Sequence, residues 1–90
     1  MDKEFQNYYD NLNELKEVIS ENEYRLSFAT ITVYSVMNYY SKNNIKYTRQ
    51  DLMQKVNRIL VENNMEEFSY FFFRKFSETS KQDSKSVGVG

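Results

Sequence analysis

Apolar residues near the N-terminus recur at the spacing of an α-helix. Placed at about 100° per residue, six of them share an arc about 120° wide, while Asp10 and Glu14 lie outside it. The six are Phe5, Tyr8, Tyr9, Leu12, Leu15 and Ile19. This pattern predicts an amphipathic first helix over residues 3–19.

A second helix is predicted over residues 21–41. Ser20 and Glu23 have the spacing of a capping box, which marks a helix start. Apolar side chains surround nearly the whole segment, as expected of a buried central helix. Because no Gly or Pro enforces a break, one continuous helix over residues 3–41 is an alternative, and the Thr and Val content would also suit a strand.

A third helix is predicted over residues 49–63, after a connection in which Asn43 and Asn44 can both adopt the left-handed conformation. Thr48 and Asp51 have the spacing of an N-cap and its third helical residue. The apolar residues again share one arc, about 120° wide. They are Leu52, Met53, Val56, Ile59 and Leu60.

The segment FSYFFFRKF at residues 68–76 contains five phenylalanines and a tyrosine. Asn64 with Glu67 predicts a helix start before it, and hence a fourth helix over residues 65–77. On that helix Phe68, Phe71, Phe72 and Phe76 would share an arc of about 140° and face the core. Phe73 and Tyr70 would lie outside the arc and be left for another contact. A strand, with alternate aromatic residues on one side, is the alternative.

The predicted fold class is all-α, a small four-helix bundle-like domain with short connections. The chain has no Pro, and its two glycines are Gly88 and Gly90, so residues 1–87 contain neither helix breaker. Residues 1–78 are predicted to form a single domain. Residues 79–90 are predicted to be a flexible, disordered tail because they have too few apolar side chains to fold.

The composition argues against catalysis. The chain has no His and no Cys, which removes the commonest general base, the thiol nucleophile and the soft metal ligands. The carboxylate pairs Glu14/Glu17 and Glu66/Glu67 are predicted to lie on solvated helix surfaces. We therefore expect a protein that is not an enzyme and uses no metal or cofactor.

The net charge of −1 conceals an uneven distribution. Residues 1–23 carry seven acids and two bases, whereas residues 24–61 carry one acid and six bases. A basic patch with interleaved tyrosines is therefore predicted around the connection between helices 2 and 3, and it favours a nucleic-acid-binding transcriptional or replication regulator as the alternative function. Its cations are Lys42, Lys46, Arg49, Lys55 and Arg58. The same cations could instead pair with the acidic first helix.

The leading functional hypothesis is a protein that binds another macromolecule. Its predicted partner-binding residues are Tyr70, Phe73 and Arg74, because exposed aromatic and arginine side chains concentrate binding energy. The partner would be another protein, a ribonucleoprotein or a second copy of the chain. The longest uncharged run, residues 26–41, is too short and too polar to span a membrane, so a cytoplasmic location and no membrane partner are expected.

In size, composition and predicted helix count, the chain resembles two groups of small helical proteins, the first drawn from the compact proteins of phages and mobile elements. One is the anti-CRISPR inhibitors of phages and mobile elements, and the other is the four-helix bacteriocin immunity proteins. The resemblance implies a protein that inhibits, neutralises or adapts its target. It assigns no individual residue.

Overall fold

The computed structural model describes residues 3–76, which form four helices and no strand. The helices are α1 (Lys3–Glu14), α2 (Glu21–Lys42), α3 (Arg49–Glu62) and α4 (Tyr70–Phe73). The prediction of a mostly helical protein is confirmed. The four-helix bundle is not confirmed, because α4 is a single turn of four residues. The predicted tail at 79–90 lies outside the described residues.

Ser20 separates α1 from α2 and excludes the continuous helix over residues 3–41. Its backbone is extended, at φ −73° and ψ 163°, and its hydroxyl accepts a hydrogen bond from the Glu23 N–H at 3.1 Å. The Glu23 carboxylate accepts from the Ser20 N–H at 3.0 Å and completes the capping box. To reach this extended residue the chain leaves the helix early, so α1 ends at Glu14 rather than at residue 19. Leu15, predicted on the apolar face, is consequently half exposed.

Helices α2 and α3 both end in a pair of asparagines. Asn44 and Asn64 adopt the left-handed conformation, with φ of 52° and 61°. The next residue in each case donates its N–H back into the helix: Ile45 to the Tyr40 carbonyl at 2.8 Å, and Met65 to the Leu60 carbonyl at 2.9 Å. Each end is therefore a Schellman motif with Asn in the place that Gly usually takes.

Helix α2 lies at the centre, as predicted, and contacts both α1 and α3. The core combines side chains from α2, from α3 and from the C-terminal segment. Its buried members are Ala29, Val33, Val36, Leu52, Val56, Leu60, Phe73 and Phe76. Although α2 has 22 residues, neither it nor any other helix within residues 3–76 has the length and apolar character needed to cross a bilayer.

The fourth helix is much shorter than predicted, because Asn64 closes the end of α3 and cannot also cap a new helix. An N-cap residue needs an extended backbone, whereas Asn64 has a positive φ. The following residues 65–69 are instead held by tertiary hydrogen bonds. The buried Asn57 side chain accepts from the Phe68 N–H at 2.9 Å and donates to the Phe68 carbonyl at 3.0 Å. Helix α4 begins only after this fixed point.

Candidate functional site

The predicted partner-binding residues do not form one surface. Tyr70 and Arg74 are exposed, in agreement with their predicted position, but Phe73 is completely buried in the core. The prediction that Phe73 projects away from the core was therefore wrong. It assumed a helix running from residue 65, whereas the backbone between Asn64 and Ser69 is not helical, and α4 packs through Phe73, with Phe76 in the core just after it.

Phe71 is the aromatic residue that the sequence pattern misplaced. It was expected in the core, yet 73% of its surface is exposed, the largest exposed fraction of any described phenylalanine. Helical periodicity from residue 65 places Phe71 inside the apolar arc and Phe73 outside it, which is the reverse of their observed burial. The Asn57 side chain holds the Phe68 backbone before α4 through two hydrogen bonds, and no local signal in the sequence marks that contact.

We define the α4 face as Tyr70, Phe71, Arg74 and Lys75, all of which are exposed. The Arg74 guanidinium lies 5.5 Å from the centre of the Phe71 ring. Arg49 donates to the Tyr70 hydroxyl at 3.1 Å and lies 5.6 Å from that ring. The α4 face borders an open cavity of about 530 Å³. This cavity is larger than one of about 370 Å³ that lies between the end of α2 and α3. This surface therefore combines aromatic rings with positive charge.

The segment that precedes the α4 face is held by contacts with α2. Arg25 on α2 donates to the Glu67 carbonyl at 2.9 Å and to the Glu66 carbonyl at 3.3 Å, and its guanidinium lies 3.9 Å from the centre of the Phe68 ring. The Phe68 ring in turn stacks on Phe72 at 4.3 Å. These contacts attach the segment before α4 to α2, and so they position the backbone from which Phe71 projects.

Three of the five predicted basic residues meet at a second place, the tyrosine cleft. The cleft has a volume of about 370 Å³ and lies between the end of α2 and the outer side of α3. Its principal lining residues are Tyr40, Lys46, Tyr47, Asp51, Lys55 and Arg58. Arg49 is directed towards Tyr70 instead, and Lys42 ends α2 without lining the cleft.

The two tyrosine rings of the cleft stack on each other, with centres 4.6 Å apart and planes 22° apart. Burial raises the pKa of both Tyr40 and Tyr47 above its ordinary value, and the negative charge of nearby Asp51 raises the pKa of Tyr40 further. Both phenols are therefore neutral at physiological pH. The cleft presents a neutral aromatic wall with exposed cations at its edge.

A third cavity, of about 360 Å³, lies between α1 and α3. On its wall the Tyr9 hydroxyl donates to the Thr32 hydroxyl at 2.6 Å, because the Thr32 hydroxyl donates its own hydrogen to the Phe28 carbonyl. Burial raises the pKa of Tyr9. These hydrogen bonds attach α1 to α2 and account for the polar groups of Tyr9 and Thr32.

The carboxylates give no indication of a metal site within residues 3–76, where no three acidic side chains are close enough to share a metal ion. The pairs Glu14/Glu17 and Glu66/Glu67 are exposed.

Comparison with models of known protein families, with curated protein sequences and with solved structures found no match for this chain.

Proposed function

We propose that this chain is a non-enzymatic protein that acts by binding another protein through the α4 face. The observation that carries the proposal is the position of Phe71. It is 73% exposed, although the adjacent Phe72 and Phe73 are half-buried and buried. Water contact with a whole phenylalanine ring is unfavourable, and a partner that covers the ring removes that penalty.

The rigidity of the α4 face favours binding. Beneath Phe71 the core holds Phe73 and Phe76, and Asn57 and Arg25 fix the preceding segment through hydrogen bonds to its backbone. A backbone segment that is already held in its bound position loses little conformational entropy on association. Phe71 therefore has the character of an aromatic anchor, and Tyr70 and Arg74 beside it are of the residue types enriched at binding hot spots.

The positive charge of the α4 face indicates the kind of partner surface that would complement it. Arg74 and Lys75 flank Phe71, and no acidic side chain belongs to the α4 face. A complementary partner would offer an apolar pocket for Phe71 with carboxylates at its rim. On this proposal the chain inhibits, neutralises or adapts a cytoplasmic target, as the resemblance to small inhibitor and immunity proteins implies.

The proposal is tested by site-specific photo-crosslinking in lysate of the cells that naturally make the protein. A benzophenone amino acid replaces Phe71 in one variant and Val18 in the control. Val18 is 78% exposed and lies in the turn after α1, so the two probes are equally accessible. We expect one protein to be crosslinked from position 71 and not from position 18.

Two further variants decide whether that crosslink reports a specific interface. Arg74→Glu reverses a charge at the α4 face and should abolish the crosslink from position 71, whereas Lys16→Glu, in the turn after α1, should leave it unchanged. Crosslinking of the same proteins from positions 18 and 71 would contradict the proposal. A crosslink only between two copies of the chain would replace it with self-association through the α4 face.

A further inference from the structure

The tyrosine cleft is independent of the α4 face, because the two share no residue. Its cations come from three places along the chain: Lys46 from the connection before α3, Lys55 from the second turn of α3 and Arg58 from the third. All three side chains are exposed, and they surround the stacked pair of Tyr40 and Tyr47. The packing of the apolar core does not depend on positive charge at this position.

We propose that the tyrosine cleft binds one nucleotide unit of a single-stranded nucleic acid, with an unpaired base against the tyrosine pair and the adjoining phosphates at Lys46, Lys55 and Arg58. Aromatic side chains supply stacking surfaces for bases, and basic side chains follow the strand's phosphates. The cleft volume of about 370 Å³ lies within the range of sites that accept one small-molecule-sized unit.

The charges around the cleft favour a phosphate-bearing ligand. Asp51 is the only acidic residue of its lining, and one oxygen of that carboxylate already accepts the Thr48 N–H at 3.0 Å in the cap of α3. The acidic helix α1 packs on α2, and the cavity that it shares with α3 is lined by Ile59 rather than by Lys55 or Arg58. Helix α1 therefore does not occupy the side of α3 that carries Lys55 and Arg58.

A single strand fits the cleft better than a duplex. The bases of a duplex are stacked on each other and cannot reach a tyrosine ring, whereas unpaired bases are free to stack on protein aromatic groups. A duplex would have to be held by phosphate contacts alone, and the net charge of −1 gives the whole protein little attraction for it.

The test is fluorescence anisotropy of a labelled oligothymidylate of about 12 nucleotides, titrated with the full chain at about 50 and about 200 mM salt. The double variant Lys55→Ala/Arg58→Ala should bind roughly tenfold or more weakly and should reduce the salt slope by about 1.4, because each phosphate contact contributes about 0.7 on a single strand. The control Lys3→Ala/Lys16→Ala removes the same charge from the α1 side. It should leave the affinity nearly unchanged because distant charges are screened by salt.

A second variant separates stacking from charge. Tyr47→Leu keeps an apolar side chain but removes the ring, so binding should weaken roughly five- to a hundredfold with no change in the salt slope. Circular dichroism of each variant shows whether the helices are retained. Phe71→Ala should bind the strand as the unmodified protein does, so the failure of one proposal leaves the other intact.

Several results would overturn the proposal. These are no saturable binding at low salt, equal weakening by the α1 control, and duplex binding as tight as strand binding. Displacement of the strand by an equal concentration of oligoglutamate would mean that the cleft binds acidic peptides. Displacement by an equal concentration of free thymidine monophosphate would mean that it binds mononucleotides rather than a strand.

Discussion

The connections that follow α2 and α3 start alike and then diverge. Each begins with an asparagine in the left-handed conformation, Asn44 or Asn64, and each closes a Schellman motif with the next N–H. After Asn44 the chain needs four residues to start α3, a helix of 14 residues. After Asn64 it stays non-helical up to Ser69 and then forms only the single turn of α4.

The difference lies in how each helix begins. Thr48 and Asp51 form a capping box, in which Asp51 N–H donates to the Thr48 hydroxyl at 3.1 Å and Thr48 N–H donates to the Asp51 carboxylate at 3.0 Å. Ser69 occupies the corresponding place before α4 and makes no side-chain cap. Helix α3 is therefore started by residues next to it in sequence, whereas α4 is positioned by Asn57 and the core.

Each connection also carries a pair of stacked aromatic rings. Tyr40 stacks on Tyr47 at 4.6 Å across the first, and Phe68 stacks on Phe72 at 4.3 Å in the second. Both pairs pack against the core, but the tyrosine pair also lines the tyrosine cleft, whereas Arg25 of α2 lies over the Phe68 ring of the phenylalanine pair. Two similar stacks thus serve different purposes, recognition in our proposal for the first and attachment of α4 for the second.

Phe73→Ala should have the largest effect, because packing is what holds α4. Removing this fully buried ring should lower the free energy of unfolding by about 3–5 kcal/mol. Phe71→Ala, two residues away and mostly exposed, should change it by about 0.5 kcal/mol or less. Urea denaturation followed by circular dichroism measures both, and Phe73→Leu provides a milder variant if Phe73→Ala does not fold. Equal effects of the two alanine variants would contradict the described packing of α4.

Asn57→Ala should have the next largest effect, because it leaves the Phe68 N–H and carbonyl without their partner. We expect a loss of about 2–4 kcal/mol, in the lower part of the sum of about 1–3 kcal/mol for each of two polar groups left unsatisfied, because both hydrogen bonds are only part-buried. The matched control is Asn63→Ala, which removes an exposed hydrogen bond to the Ile59 carbonyl and should cost about 1 kcal/mol or less. Hydrogen exchange should show faster exchange at residues 68–76 in Asn57→Ala. Unchanged exchange there would mean that Asn57 does not position α4.

The starts of α3 and α4 should differ in how much stability the protein loses when the hydroxyl of the N-cap residue is removed. Thr48→Ala removes a side-chain cap and should destabilise the protein by about 1 kcal/mol. Ser69→Ala removes no cap bond and should cost less than about 0.5 kcal/mol. Thermal unfolding of both variants in one buffer makes the comparison. A larger loss from Ser69→Ala would show that α4 also depends on a local cap.

Alkaline pH should destabilise the connection between α2 and α3, which carries the tyrosine pair, and leave the connection between α3 and α4 unaffected. This should be the smallest of the four predicted effects on stability. Burial raises the folded-state pKa of Tyr40 and Tyr47 above the unfolded value of about 10. Above that pH the unfolded chain loses protons first, so the stability contributed by the neutral phenols is complete below about pH 10 and is lost as the pH rises through the folded-state pKa.

Urea denaturation at a series of pH values tests this prediction. The variant Tyr40→Phe/Tyr47→Phe should lose less stability above pH 10 than the unmodified protein, and the remaining loss should include that from Tyr9, whose pKa is also raised by burial. The same pH dependence in both proteins would show that the tyrosine stack does not contribute.

Sequence reasoning succeeded where the determining interactions are local. It placed α2 and α3 within one residue of their observed bounds, because both capping boxes and both Asn-Asn ends involve neighbouring residues. It also identified the basic residues and tyrosines of the cleft as a group. It could not show that Arg49 contacts Tyr70 or that Lys42 does not line the cleft, since both depend on the tertiary position of the connection between α2 and α3.

Local patterns in the sequence specified the presence of three long helices, the starts of all three, and the ends of α2 and α3, because capping hydrogen bonds and helical periodicity act between neighbouring residues. The early end of α1 at Glu14 and the conformation of residues 65–76 depend on the tertiary structure. There Asn57, eleven residues from Phe68, replaces a local cap, and Arg25 reaches from α2 to the carbonyls of Glu66 and Glu67. These long-range contacts hold the segment in which Phe73 is buried and Phe71 is exposed, which is the reverse of the arrangement that helical periodicity predicts.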